Sequence, residues 1–256
     1  MCEQQLYQKR GIYKSLIEFD PYLRYYKNKH SCRLKEVGCK SQICSTRKMR
    51  ETMRVSDVAY EKIKMMIITA RLRPGQTLVE AELMEELGMG RTPIREALNR
   101  LAWENFVKIV PRQCIMVNEI SLYEVESIYQ MRFALSPLES ELAAMNRTEE
   151  DLKRLKDSLE VLREETDAEE RVLLDRAFHR IISSMTRNPF LEREMNNYQD
   201  LSIRLLFLNR INLSSIDDMD IGHHEKIYRC LQERDVNKLI SVQKAHVQAF
   251  KEKFIR

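Results

Sequence analysis

The stretch that most constrains this chain is residues 79–118, VEAELMEELGMGRTPIREALNRLAWENFVKIVPRQCIMVN. Val79, Leu83, Met84 and Leu87 recur at helical spacing, which predicts a short amphipathic helix over 79–87. Gly88-Met89-Gly90 supplies a tight turn, because glycine tolerates the positive φ that ends a helix. Thr92 is placed to cap a second helix, with Pro93 at its first position and Glu96 near the end of its first turn. Ile94, Leu98 and Leu101 line one face of that helix. Phe106–Val110 and Cys114–Val117 then read as two strands, and Pro111-Arg112-Gln113 as the basic tip between them. Two helices joined by a short glycine turn and followed by a hairpin make a winged helix-turn-helix. In that motif the second helix enters the DNA major groove N-terminus first. Arg91 and Arg95 flank the N-terminus of the second helix beside Thr92, where arginine can pair with a guanine edge and threonine with a base or phosphate. The same elements could also form a plain packing unit that binds nothing.

Upstream, 56–70 predicts a first helix capped by Ser56, with Val58, Ile63, Ile67 and Ile68 on its core side. Leu72-Arg73-Pro74-Gly75-Gln76 reads as a turn, and Asn105 as the left-handed residue that closes the second helix of the motif.

From Ser121 onward proline and glycine almost vanish. Helical periodicity predicts helices near 121–145, 148–165, 168–186, 189–212, 220–233 and 235–254. Thr148 with Asp151, and Asp167 with Glu170, resemble helix-start boxes. Pro137 is expected to kink or split the first of these helices. The expected fold is therefore mainly α: a winged helix-turn-helix followed by an all-α bundle of about six to seven helices. Three segments follow: a basic extension over 1–50, the winged motif over 51–118, and the bundle over 119–256.

Charge divides along the same lines. Residues 1–50 carry 12 Lys/Arg against 4 Asp/Glu, residues 51–118 carry 10 against 9, and residues 119–256 carry 21 against 26. A basic N-terminal side fits nucleic-acid contact, and an acidic bundle fits a separate task. The near-neutral middle segment must rely on local placement. In 1–50, tyrosines alternate with Lys and Arg, and Cys32, Cys39 and Cys44 lie near His30. A flexible phosphate-binding extension, a metal knuckle of unusual spacing and a start that the working protein lacks all remain open for this segment. No run of about 18 apolar residues suggests a membrane span, and no apolar signal core follows the N-terminus. Six cysteines without a secreted framework point to a reducing cytoplasm.

The bundle holds a possible metal constellation. Asp175 and His179 are four apart and project from one helical face. His224 and His246 fall on the last two helices, which should run antiparallel and can face that pair. One carboxylate and three imidazoles suit a divalent transition ion, with Zn, Ni and Mn all open. Scattered, hydrogen-bonded histidines would give the same spacing.

The run ARLRPGQTLVEAELMEELGMGRTPIREALNRL resembles the N-terminal domain of the GntR family of bacterial transcription regulators. Gly90 stands where that family usually has Ser, Asn105 and Cys114 where it has Gly, and Ala81 where some members have a basic residue. The resemblance implies DNA contact by Arg91, Thr92 and Arg95, with Arg112 on the wing. DRAFHRIISSMTRNPFLER, followed by HEKIYRCLQERDVNKLISVQKAHVQAF, is similar to the FCD type of C-terminal domain. That similarity implies metal binding by Asp175, His179, His224 and His246 at the base of a small-molecule pocket, with His223 a weaker substitute. Arg132 matches an arginine common in such bundles, although Ser136 replaces the family's usual Glu. Arg132 could clamp a carboxylate, and Arg204, inside LSIRLLFL, is the other inward charge expected at an effector. A homodimer on double-stranded operator DNA, controlled by a small organic acid, is the function implied. A regulator with a purely structural or signalling metal and a metal-dependent hydrolase are the alternatives.

Overall fold

The computed structural model describes residues 54–208 and 221–252, so the questions raised by 1–50 lie outside the described residues. The described chain divides between Ile120 and Ser121 into two compact units.

The first unit contains α1 (Val55–Ile68), β1 (Thr77–Leu78), α2 (Glu80–Leu87), α3 (Arg91–Trp103), β2 (Val107–Val110) and β3 (Cys114–Val117). The strands form an antiparallel sheet in the order β1-β3-β2, with Thr77 opposite Met116 and Ile109 opposite Ile115. Its core joins Ala59, Ile63 and Ile67 of α1 to Ile94, Leu98 and Leu101 of α3, with Phe106 and Val117 beneath. Leu83 is the buried residue of α2. Lys64, itself buried, is satisfied by Glu104 at 2.8 Å and the Tyr60 hydroxyl at 2.9 Å. Gly88 closes α2 at φ 63°, and Asn105 closes α3 at the same φ. In both cases that residue's own amide and the next one turn back onto the last helical carbonyls.

Two expectations for this unit need correction, and one strand was not foreseen. Helix α1 starts at Val55 with Arg54 before it, and Ser56 lies inside the first turn and caps nothing. The amides of Asp57 and Val58 are already taken by the Arg54 carbonyl. Thr92 likewise does not cap α3. Extended Gly90 takes that place, and the helix begins at Arg91. Pro93 permits this because amides in the first turn need no helical partner. The third strand, β1, had no two-residue period to reveal it.

The second unit contains, among the described residues, α4 (Leu122–Asn146), α5 (Glu149–Glu164), α6 (Ala168–Met185), α7 (Pro189–Leu208), α8 (Ile221–Glu233) and α9 (Val236–Glu252). Ser121 with Glu124, and Thr148 with Asp151, form reciprocal capping boxes, and Asp167 accepts from the Glu170 amide. Helix α6 is buried along most of its circumference, from Val172 to Met185, and packs against α4, α5 and α7. Helix α4 also packs on α7, α8 and α9. It runs unbroken through Pro137, so the expected split does not occur. Proline removes one backbone donor there. Residues buried on both sides, from Arg132 and Ser136 to Glu139 and Ala143, pack the flanking turns into the bundle and keep the helix continuous.

Two turns lock the bundle end. Arg147, just beyond α4, donates to the Leu231 and Gln232 carbonyls at 3.0 and 2.8 Å. Arg234, just beyond α8, donates to the Ala144 and Met145 carbonyls at 2.7 and 2.8 Å. Each guanidinium thus satisfies the exposed carbonyls at the other helix's C-terminus. Truncating Arg234 takes the side-chain donor from the Ala144 and Met145 carbonyls, and truncating Arg147 takes it from Gln232 and leaves Leu231 only the Arg234 amide, at a cost of about 1–3 kcal/mol. Arg147→Ala and Arg234→Ala should each lower stability by that amount in urea denaturation, and the double variant should lose less than the sum.

Candidate functional site

Helix α3 buries Ile94, Ala97, Leu98 and Leu101 and leaves Arg91, Thr92 and Arg95 exposed. Arg112 is exposed at the β2–β3 turn, with φ 62°. The two arginines lie one helical turn apart, and both approach Glu80 of α2, at 3.5 Å from Arg91 and 3.2 Å from Arg95. Sequence reading did not single out Glu80, since its contact crosses from one helix to the next.

In the bundle, α6, α8 and α9 converge on one point. Ligating atoms of Asp175, His179, His224 and His246 all lie within 4.8 Å of one another. His224 Nε2 is 2.7 Å from Asp175 Oδ1, and His179 Nε2 is 3.6 Å from the same oxygen. His179 and His246 bring their Nε2 atoms to 3.1 Å. Local sequence explains this meeting. Asp175 and His179 are one turn apart on α6. His224 and His246 stand at nearly equal heights on the α8–α9 hairpin, because its turn at Arg234-Asp235 lies almost midway between them. His223 lies outside the four, with its ring centroid 5.9 Å from that of His246. Phe178 walls the cluster, edge-on to His179 and His224.

Electrostatics fit a cation. Burial alone would raise the Asp175 carboxyl, but its interactions with His179 and His224 outweigh that and hold the carboxyl well below its ordinary value. Burial pushes His179 down, and burial and its imidazole neighbours push His246 well down, so both rings are neutral and offer lone pairs. Ligands bound at about 2.1 Å stand roughly 3.0–3.4 Å apart, which the spacings here approach. The donor set, nitrogen and oxygen without sulfur, suits a borderline divalent ion.

Further polar groups border the cluster. Arg132 Nη2 donates to Gln199 Oε1 at 2.9 Å, and Gln199 Nε2 reaches Asp175 Oδ2 at 3.5 Å. Burial depresses the Arg132 guanidinium, while the charges of Tyr129, Asp175 and Glu139 oppose that shift. Glu139 accepts from Ser183 and, at 3.4 Å, from Gln243. The Ser136 hydroxyl, fully buried between these residues on α4, has no hydrogen-bond partner among the described residues. Sequence reading missed Glu139, Gln199, Ser183 and Gln243. The i, i+4, i+7 spacing of Arg132, Ser136 and Glu139 was the available signal for a polar inner stripe. Arg204 is buried too, and its guanidinium, lowered by burial to about 10, is coupled to Glu124. Glu124 stands eight residues, about 12 Å, from Arg132 along α4, so the two arginines address different levels of the bundle.

Comparison with known proteins follows these two units. Residues 55–117 match the family described as bacterial regulatory proteins, gntR family, and residues 127–249 match the FCD domain. The chain belongs to the GntR family. The helix-turn-helix regulator McbR of Escherichia coli K12 is 33% identical over 132 residues, half of this chain and 60% of McbR. The uncharacterised helix-turn-helix-type transcriptional regulator YdhC of Bacillus subtilis 168 is 27% identical over 146 residues, 56% of this chain and 65% of YdhC. These matches span less than two thirds of either relative. The solved E. coli McbR/YncC structure superposes with a TM-score of 0.68 at 23% identity, covering 80% of this chain and all of that one. It shares the GntR fold.

Glu139 gives this region a pH signature. Burial raises its carboxyl from 4.5 to about 7. Below pH 4.5 it is protonated whether folded or unfolded. Between 4.5 and 7 only the folded chain keeps the proton, so stability falls as pH rises, by up to about 3 kcal/mol. Relative to the parent, Glu139→Gln should therefore gain stability steadily across that window. Urea denaturation in chelator checks this; a pH-independent difference would show that Glu139 does not hold the proton.

Proposed function

We propose that this chain is a transcription regulator whose affinity for operator DNA is set by a small organic acid bound beside a metal ion in the helical bundle. The observation that carries the reading is the convergence of Asp175, His179, His224 and His246, with Arg132 joined to Asp175 through Gln199. A divalent ion there supplies a positive anchor for an acidic ligand. Asp175 would lend the charge, and the three imidazoles would lend nitrogen donors. Arg132 offers a fork of donors to a carboxylate, and Gln199 orients it. The Ser136 hydroxyl, without a partner among the described residues, adds a group able to bond a ligand. Arg204 remains a candidate second contact. On the DNA side Arg91, Thr92 and Arg95 read the groove and Arg112 holds the flanking backbone, in a homodimer on paired half-sites. The family match and the helix-turn-helix regulators among its relatives support this side of the reading. The protein would work in the cytoplasm and perform no turnover.

One observation favours a second reading, in which the metal is structural. Four protein ligands suffice to close a tetrahedral site, and His224 is wholly buried. The two readings separate experimentally. Elemental analysis should find near one metal per chain, lost in Asp175→Ala and in His224→Ala. A panel of small carboxylic acids should then raise the melting temperature of the metal-loaded protein and change its operator affinity. Arg132→Ala should abolish that shift while retaining the metal. Metal without any carboxylate response would favour the structural reading, and absence of metal after supply of divalent ions would overturn both.

A further inference from the structure

Glu80 is the first residue of α2, and its carboxylate meets the first turn of α3. Oε2 stands 3.5 Å from Arg91 Nε, and Oε1 stands 3.2 Å from Arg95 Nε. A single carboxylate thus holds two arginines, one oxygen to each. Its side chain is 23% exposed, whereas those of Arg91 and Arg95 are 69% and 64% exposed. The contacting nitrogen is Nε in both cases. The far end of each guanidinium, with the paired Nη donors that suit a guanine O6/N7 edge, is left to solvent.

We propose that Glu80 is a positioning and specificity-determining residue for DNA reading; this rests on the reading of Arg91 and Arg95 as DNA contacts. It acts in two ways. An arginine already held by its Nε side has less rotamer freedom to lose when its tip docks on a base. A carboxylate beside two guanidiniums also cancels one of their charges, which weakens sequence-independent attraction to phosphate. Glu80 therefore raises discrimination while lowering general DNA affinity. A residue that merely supported the fold would move both affinities in the same direction.

The test uses the full-length protein and duplexes that it selects from a randomised pool, with scrambled duplexes of equal length and composition for comparison. Glu80→Gln should bind scrambled duplex several-fold tighter, with a salt dependence steeper by about one phosphate. Its preference for the selected duplex should fall roughly ten-fold or more. Glu80→Asp keeps the charge but shortens the reach, so its salt dependence should match the parent while its preference falls. Melting temperatures close to the parent's would show that both variants fold. Equal weakening on both duplexes, or no change on either, overturns the role of Glu80. The readings part at the arginines. If Arg91→Ala and Arg95→Ala leave selected-duplex binding intact, the DNA-contact reading fails and the proposal fails with it. If they lose binding while the Glu80 variants match the parent, only Glu80's role fails. If the unaltered protein enriches no sequence, DNA reading is overturned as a whole.

Discussion

The second unit depends on how a helical bundle tolerates charge in its interior. Asp175 is buried on α6, where an isolated carboxylate would be costly. It persists because α7 and α8 each bring a partner, Gln199 and His224, and α6 adds His179 one turn along. The same solution recurs at Asp200, which is fully buried and held by Arg176 and Arg180 of α6. Both carboxylates tie neighbouring helices together, but in opposite electrostatic senses. Asp200 faces two permanent cations and is neutralised within the protein. Asp175 meets Gln199 and the imidazoles of His224 and His179 in place of arginines, so its charge remains available to something else. That contrast separates a structural ion cluster from a candidate binding centre more clearly than burial alone.

The first unit uses charge differently. Its buried lysine, Lys64, lies inside the fold and is matched by Glu104 and Tyr60. Its exposed arginines lie along the outer face of α3, where they cost little to solvate. The near-neutral charge of 51–118 is therefore compatible with a locally basic surface. Acids and bases are sorted by position, and the net count hides that sorting.

Much of this was legible in the sequence, for identifiable reasons. Long helices write their periodicity into ten or more residues, and capping residues such as Thr148 with Asp151 mark their ends. The equal distances of His224 and His246 from the Arg234-Asp235 turn were countable, as was the one-turn spacing of Asp175 and His179. Less was legible where local rules compete or contacts are remote. Pro137 carries a breaker signal that tertiary packing overrides. Thr92 has capping chemistry but sits two residues too late, because Gly90 is extended and takes the cap position. A two-residue strand has no period to detect. Glu80 and Gln199 owe their roles to neighbours on other helices, which no local pattern encodes.

The exchange of arginines between the ends of α4 and α8 limits how this bundle can move. Five hydrogen bonds cross that junction, three from Arg234 and two from Arg147, and all end on main-chain carbonyls. Main-chain carbonyls have no rotamers with which to follow a displacement. Axial sliding of the α8–α9 hairpin past α4 would break the set together, whereas tilting about the junction preserves it. The bundle is thus built to pivot at one end and to resist shear along its length.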